Sequence, residues 1–361
     1  MKCRLAYDVQ MQFRYAHKAG CMANDNVRIF DLHCDTLDSL SMHGIKPFSQ
    51  HLSPVQEGDD LLHNGIQLSL ERMFQAGSWC QCFAVWVPDD LSQAGMTPHE
   101  FYAEVSAYFR SQLEAHADKI RQIRDARKVE DAFSGGRVAA MLTVENASPL
   151  EDGLAVLNEM HAGGVRMITL TWNGQNCIGS GNLTAEGLTG YGIKALHRME
   201  EFHIVADVSH LNDASFKDVV AHAARPFVAS HSNSRAICEH PRNLTDWEFE
   251  AIRDLGGLVG INYYRSFIAD RFNEGNGADD SQADVTFDEL SYHIDHFLEL
   301  GGERIIALGS NFDGSATPSW LSGASDMPAF RTMVAKRFGE DIAEGMFFRN
   351  AADFFARNEE S

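Results

Sequence analysis

His33 and Asp35, in the stretch Arg28-Ile29-Phe30-Asp31-Leu32-His33-Cys34-Asp35-Thr36, are the residues around which the chemistry of this chain is best read. On an extended strand, residues two apart project to the same face, so an imidazole nitrogen and a carboxylate oxygen point together. Such a pair supplies much of a divalent-metal site. Alone it is a weak sign, because most His-x-Asp pairs are hydrogen-bonded couples near a strand end. Further donors follow in similar settings: Glu145 in Leu142-Thr143-Val144-Glu145-Asn146, His210 in Ala206-Asp207-Val208-Ser209-His210, His231 in Val228-Ala229-Ser230-His231-Ser232, and Asp313 in Leu308-Gly309-Ser310-Asn311-Phe312-Asp313-Gly314. Singly, a strand-end histidine is usually structural and a strand-end carboxylate caps the next helix. Three histidines, two aspartates and a glutamate on one rim would crowd like charges unless cations neutralised them. Six such donors suit two metals rather than one, and imidazole with carboxylate suits zinc best, with manganese, iron or cobalt as competitors. Two metals roughly 3.5–4 Å apart polarise a carbonyl and activate water, which is hydrolytic chemistry.

The elements that must position these residues read as alternating strand and helix. Eight short runs rich in β-branched and aromatic residues lie at 28–33, 81–87, 138–144, 165–171, 203–209, 226–230, 257–262 and 305–309. Most are apolar on both faces, as buried parallel strands are. Helical periodicity falls between them at 101–117, 150–161, 192–202, 214–223, 246–255 and 287–300, and the tail 329–357 reads as two further helices. Glycine pairs at Gly163-Gly164, Gly256-Gly257 and Gly301-Gly302 suit left-handed helix caps. This alternation predicts a (β/α)8 TIM-type barrel with extra C-terminal helices, whose active site lies at the C-terminal strand ends. A doubly wound sheet is the competitor, weakened because no Gly-x-Gly-x-x-Gly follows an early strand. Residues 1–26 read as a disordered extension, with Met22 as an alternative start, and 27–361 as a single domain. Residues 269–283 read as a mobile loop.

Composition bounds the partners. A net charge of -21 with pI near 5.1 argues against nucleic acid and anionic membrane. No apolar run is long enough to span a bilayer, and the N-terminus lacks the apolar core of a signal peptide. The seven scattered cysteines show no disulfide spacing, Cys80-x-Cys82 included, so the reading is free thiols and a cytoplasmic protein. Cys34 should point away from His33 and Asp35.

The set Asp31-Leu32-His33-Cys34-Asp35, Val144-Glu145, Asp207-Val208-Ser209-His210, Ser230-His231-Ser232, Pro241-Arg242-Asn243-Leu244 and Asn311-Phe312-Asp313-Gly314 resembles the membrane dipeptidase (renal dipeptidase) family, peptidase family M19, which are di-zinc barrels related to the amidohydrolases. The matching segments come in the family's order and cover residues 28–357. The resemblance implies that His33 and Asp35 bind one zinc, His210 and His231 the other, and that Glu145 bridges both. It implies Asp313 as general base, Arg242 as the group receiving a dipeptide's terminal carboxylate, and Tyr263 or Tyr264 on the substrate side. It also implies tolerance of a D-residue at the C-terminal position and admits a homodimer. The sequence departs from the mammalian pattern at Trp172, where those enzymes carry a histidine near the reacting carbonyl; Asn173 and Asn176 stand close enough in sequence to supply the lost polar contact. The family's membrane anchor has no counterpart here. The reading is therefore a binuclear zinc dipeptidase acting on small dipeptides, against two rivals: another amidohydrolase reaction such as a lactonase or deaminase, and a non-catalytic binding barrel.

Overall fold

Runs such as Val138–Glu145 carry β-branched and apolar residues on both faces, and only a sheet covered on both sides can bury both. The computed structural model describes residues 27–42, 54–272 and 283–360; the 1–26 extension and residues 273–282 of the expected loop lie outside these. Among the described residues nine parallel strands form: β1 (Arg28–Asp31), β2 (Ser78–Trp86), β3 (Ile120–Gln122), β4 (Val138–Glu145), β5 (Val165–Thr169), β6 (Val205–Asp207), β7 (Val228–Ala229), β8 (Leu258–Ile261) and β9 (Ile306–Leu308). Their order β2-β1-β9-β8-β7-β6-β5-β4 closes by pairing of β2 with β4, Cys80 opposite Ala139 through Trp86 opposite Glu145. Eight strands thus make a closed barrel, as the alternation predicts. The ninth, β3, pairs with the start of β4 at Ile120 and Val138, and β5 takes over that edge from Leu142 onward.

Two apolar layers follow from the period-2 alternation. Phe30, Leu32, Cys80, Cys82, Met141, Met167, Val205, Val228, Leu258 and Ala307 gather in one buried cluster drawn from all eight barrel strands, which only the barrel interior allows. The same cluster includes Phe348, Phe354 and Phe355 from the C-terminal segment, with Phe355 stacked on Phe30 at 5.5 Å. The helix Asn350–Glu360 therefore plugs the barrel at the start of the strands. The second cluster, containing Ile29, Phe83, Val85, Leu142 and Val144, lies between strands and surrounding helices. Cys34 belongs to this outer layer, its thiol against the Cys82 carbonyl at 3.6 Å.

Helix ends follow the local signals. Thr97, Thr245 and Thr286 form capping boxes with Glu100, Glu248 and Glu289. Gly164, Gly256 and Gly301 take φ of 94°, 74° and 82° after their helices, as the glycine pairs predict. The tail is more segmented than two helices: Met327–Phe338, Glu340–Glu344, a π-helical turn at Gly345–Arg349, and Asn350–Glu360.

Candidate metal centre and active site

The predicted donors meet at the C-terminal ends of the strands. The ladder of β1 continues past Asp31 through Leu32 N–H to the Leu308 carbonyl (2.9 Å), Asn311 N–H to the His33 carbonyl (3.2 Å) and Asp35 N–H to the Phe312 carbonyl (2.9 Å), which holds His33 and Asp35 in place. Glu145 is the last residue of β4, and Asn146 turns the chain away with φ of 78°. His210 and His231 follow β6 and β7 by a few residues. Glu145 stands at the middle: Oε2 lies 3.2 Å from His33 Nε2, and Oε1 lies 2.6 Å from His210 Nε2 and 3.9 Å from His231 Nε2. His33 Nε2 is also 3.5 Å from Asp35 Oδ2, and the His33 and His231 rings stack at 3.9 Å. All five residues are buried.

These residues fit divalent cations. Ligand atoms of His33, Glu145 and His231 lie within 4.8 Å of one another. His33 Nε2 and Asp35 Oδ1 are buried with no hydrogen-bond partner among the described residues. His210 Nδ1 faces the Asn173 side-chain oxygen at 2.9 Å and His231 Nδ1 faces Ser230 Oγ at 2.7 Å, while the two Nε2 atoms face each other at 3.0 Å. Two nitrogens on one zinc, each at about 2.0–2.1 Å, sit roughly 3.3 Å apart. Burial drives His210 down to about 4, reinforced by the Arg242 charge, and burial with the His33 and Arg242 charges drives His231 well down too. Both imidazoles are thereby neutral, the form that binds metal. Burial opposes charge on His33 as well, yet the Asp35 and Glu145 carboxylates hold it well above the ordinary histidine range. Glu145 resists its own burial chiefly because the charge on the neighbouring His33 keeps it ionised, well below the carboxylate range.

Asp313 lies beside this cluster. Its Oδ2 accepts from Thr36 Oγ1 (2.6 Å) and Leu68 N–H (3.3 Å), and Oδ1 accepts from Gln67 N–H (2.6 Å). Burial pushes its carboxyl up to about 6 against those donors, a value suited to proton transfer near neutrality. Its φ of 67°, with Asn311 at 57°, puts left-handed backbone at the rim. A side chain on the following residue would push the Asp35 carboxylate aside: a Cβ on Gly314 would sit 1.8 Å from Asp35 Oδ2.

Arg242 is buried, and among the described residues none of its three guanidinium nitrogens has a hydrogen-bond partner. Burial lowers it to about 10, while Glu145 and Asp207 favour the charged form. Its segment is pinned by Leu244 N–H to the Asn233 carbonyl (2.8 Å) and by the Asn243 amide to the Phe267 carbonyl (2.9 Å), and its guanidinium lies 5.3 Å from the Phe267 ring centre. Trp172 packs edge-on against Trp86 at 5.0 Å and stands 6.4 Å from the His210 ring. Tyr263, expected on the substrate side, has no exposed surface; its ring is edge-on to Phe312 and Phe330 in the core. Tyr264 is the tyrosine whose ring meets Phe267 edge-on, at 4.9 Å, the same ring that Arg242 lies over. Asn173 orients His210, whereas the Asn176 amide is spent on Asn146 and the Leu170 carbonyl. The sequence reading missed Thr36, Gln67 and Asp89; Asp89 ties Asn146 to Gly174 N–H across the mouth, and no spacing marks such loop carboxylates.

The profile of the membrane dipeptidase family (peptidase family M19) matches residues 23–357. The chain belongs to that family. It is accordingly a hydrolase, a metallo-dipeptidase whose buried His and Glu cluster is the expected place for metal. An uncharacterized protein of the pqqA 5′ region of Klebsiella pneumoniae is 34% identical over 249 residues, 66% of this chain and 89% of that one. An uncharacterized dipeptidase of Schizosaccharomyces pombe is 31% identical, over 56% of this chain and 48% of its own. Among solved structures, a metallopeptidase of Rhodobacter sphaeroides liganded with a phosphinate mimic of the dipeptide L-Ala-D-Ala superposes with TM-score 0.79 at 25% identity, covering 92% of this dipeptidase and 100% of that chain.

Proposed function

We propose that this dipeptidase is a binuclear zinc enzyme that cleaves small dipeptides and accepts a D-residue at their C-terminal position. The observation that carries the reading is a buried arginine without a partner beside a cluster of metal donors: Arg242 is placed to be completed by a free carboxylate, and a guanidinium takes one bidentately. His33 and Asp35 would hold one ion, His210 and His231 the other, and Glu145 both, one oxygen toward each pair. Bound there, the ions supply Lewis acidity to the scissile carbonyl and to the attacking water. Asp313 orients that water, takes its proton on a carboxylate oxygen and returns it to the leaving amine. Arg242 fixes the C-terminal end of the substrate, and Trp172 with Trp86 walls the cleft beside His210. Tolerance of a D-residue is supported by the L-Ala-D-Ala mimic held by the Rhodobacter sphaeroides neighbour. We place the enzyme in the cytoplasm, since Cys34, Cys80, Cys82, Cys177 and Cys238 are all free thiols. No helix among the described residues is long and apolar enough to cross a membrane.

The test is hydrolysis of L-Ala-D-Ala and L-Ala-L-Ala with and without chelator, alongside lactones and amino-purines as controls. Cleavage of both dipeptides, lost on chelation and restored by zinc, is the expected result. Turnover of a lactone or a deaminase substrate with inert dipeptides would overturn the substrate class.

A further inference from the structure

Below the metal donors, inside the barrel, lies a polar group that the proposed mechanism does not use. Asp207, wholly buried at the end of β6, accepts five hydrogen bonds: from Thr169 Oγ1 (2.6 Å) and Ser230 Oγ (2.6 Å) on Oδ2, and from Ser209 N–H (3.0 Å), Ser209 Oγ (2.7 Å) and Ser230 N–H (2.9 Å) on Oδ1. Ser230 Oγ also lies 2.7 Å from His231 Nδ1 and 3.1 Å from Ser209 Oγ, which in turn accepts the His231 backbone N–H at 3.1 Å. A hydroxyl has one proton to give. Ser209 and Ser230 both have a carboxylate oxygen as their nearest acceptor, and a charged acceptor takes the proton in preference to a neutral one. Ser230 Oγ is then left with lone pairs toward His231, so the imidazole must be the donor in that contact. A neutral imidazole with its proton on Nδ1 has a bare Nε2.

We propose that Ser230, held by Asp207, is a positioning residue that locks His231 in the Nδ1–H tautomer and so presents Nε2 as a ready metal donor. The chain runs His231 Nδ1–H to Ser230 Oγ–H to Asp207 carboxylate. It does for this ligand what a directly bonded carboxylate does in other metal sites, with a hydroxyl interposed. His210 has a separate device, its Nδ1–H given to the Asn173 amide oxygen at 2.9 Å. With both rings so locked, their Nε2 atoms face each other as two lone pairs 3.0 Å apart, and that of His210 also lies 2.6 Å from Glu145 Oε1, a crowding of lone pairs that a cation relieves. The same barrel layer is built to keep Ser230 where it is: a Cβ at Gly260 or Gly309 would come within 1.9 or 2.0 Å of the Ser230 carbonyl.

The inference rests on the reading of His210 and His231 as metal ligands, and its test separates the two. Long-range proton–nitrogen correlation spectra of the full chain, labelled in histidine and stripped of metal, distinguish a protonated Nδ1 from a protonated Nε2. The wild type is expected to show His231 with Nδ1 protonated. Ser230→Ala, which removes one buried oxygen and adds no volume, is expected to move His231 toward the Nε2–H form and leave His210 unchanged. Asn173→Ala, in a half-buried loop, is expected to do the reverse, so that the result does not depend on one variant folding. Zinc affinity measured by competition with a chromophoric chelator should fall about 10–100-fold for one of the two equivalents in Ser230→Ala, the other being unaffected. A wild-type His231 protonated at Nε2, or a Ser230→Ala protein with unaltered tautomer and zinc affinity, would overturn the proposal. Wild-type protein with the expected tautomer that takes up no zinc would support the positioning role and overturn the metal reading instead.

Discussion

At the scale of the residue, Arg242 holds a positive charge in a buried place with no hydrogen-bond partner among the described residues, and such charges persist where a ligand completes them. Arg242→Ala should lower kcat/KM for dipeptides about 100-fold or more, mainly through KM, while zinc content stays unchanged. Dipeptides with an amidated C-terminus should be cut equally slowly by both proteins, and steady-state kinetics on the paired substrates checks this. Asp313→Asn keeps the shape but removes the proton acceptor, so kcat should fall about 10²–10⁴-fold with metal content and KM little altered. Asp313 was legible in the sequence because it follows an apolar run that ends at the rim, whereas Arg242, in the loop segment Pro241-Arg242-Asn243-Leu244, was legible only through the family resemblance. Asp207 and Ser230 were visible as part of matching segments, but nothing in their spacing says that one hydroxyl links them to His231. That link depends on β6 and β7 lying side by side, a tertiary fact. Tyr263 and Tyr264 show the same limit, since adjacency in sequence does not reveal which ring goes into the core.

At the scale of the element, the helix Phe287–Glu299 is anchored at its start by Glu289, which accepts from Thr286 and pairs with Arg271. The Arg271 contact, helped by the Thr286 donors, holds the Glu289 carboxyl down at about 2, against roughly 4.3 in an unfolded chain. A depressed carboxyl stabilises the fold above its unfolded value and loses that contribution as pH falls through its folded value. Arg271→Ala should therefore destabilise the protein at pH 7 by about 1 kcal/mol or less, for a pair this close to the surface, seen as a lower melting temperature, and the gap to wild type should close between about pH 4 and pH 2. Thermal melts of both proteins across that range check it. Strand length was the less legible property. β6 and β7 are shorter than the apolar runs around them, because side-chain bonds from Asp207, Ser209 and Ser230 replace backbone ladder at their ends. The three-residue β3 escaped notice because Ile-Arg-Gln has one apolar residue and lies outside the barrel, paired with the first three residues of β4.

At the scale of the whole molecule, the barrel has one face for chemistry and one sealed by its own C-terminus. Phe355→Ala, taking away a ring stacked on Phe30 in the plugged end, should cost about 3–5 kcal/mol of stability while kcat per folded molecule is retained. Denaturant unfolding together with active-site titration separates the two effects. The alternation of strands and helices made the barrel legible, and the glycine pairs marked where helices stop. The plug was not legible, because an amphipathic tail helix reads the same whether it packs on the outside of a barrel or across its end. The central claim concerns the two ions that Glu145 would share. Anomalous diffraction at the zinc edge, from crystals of protein purified without chelator, tests it most directly. The account predicts two peaks, one beside His33 and Asp35 and one beside His210 and His231, with Glu145 between them. No peak, or a single peak remote from Glu145, would contradict it.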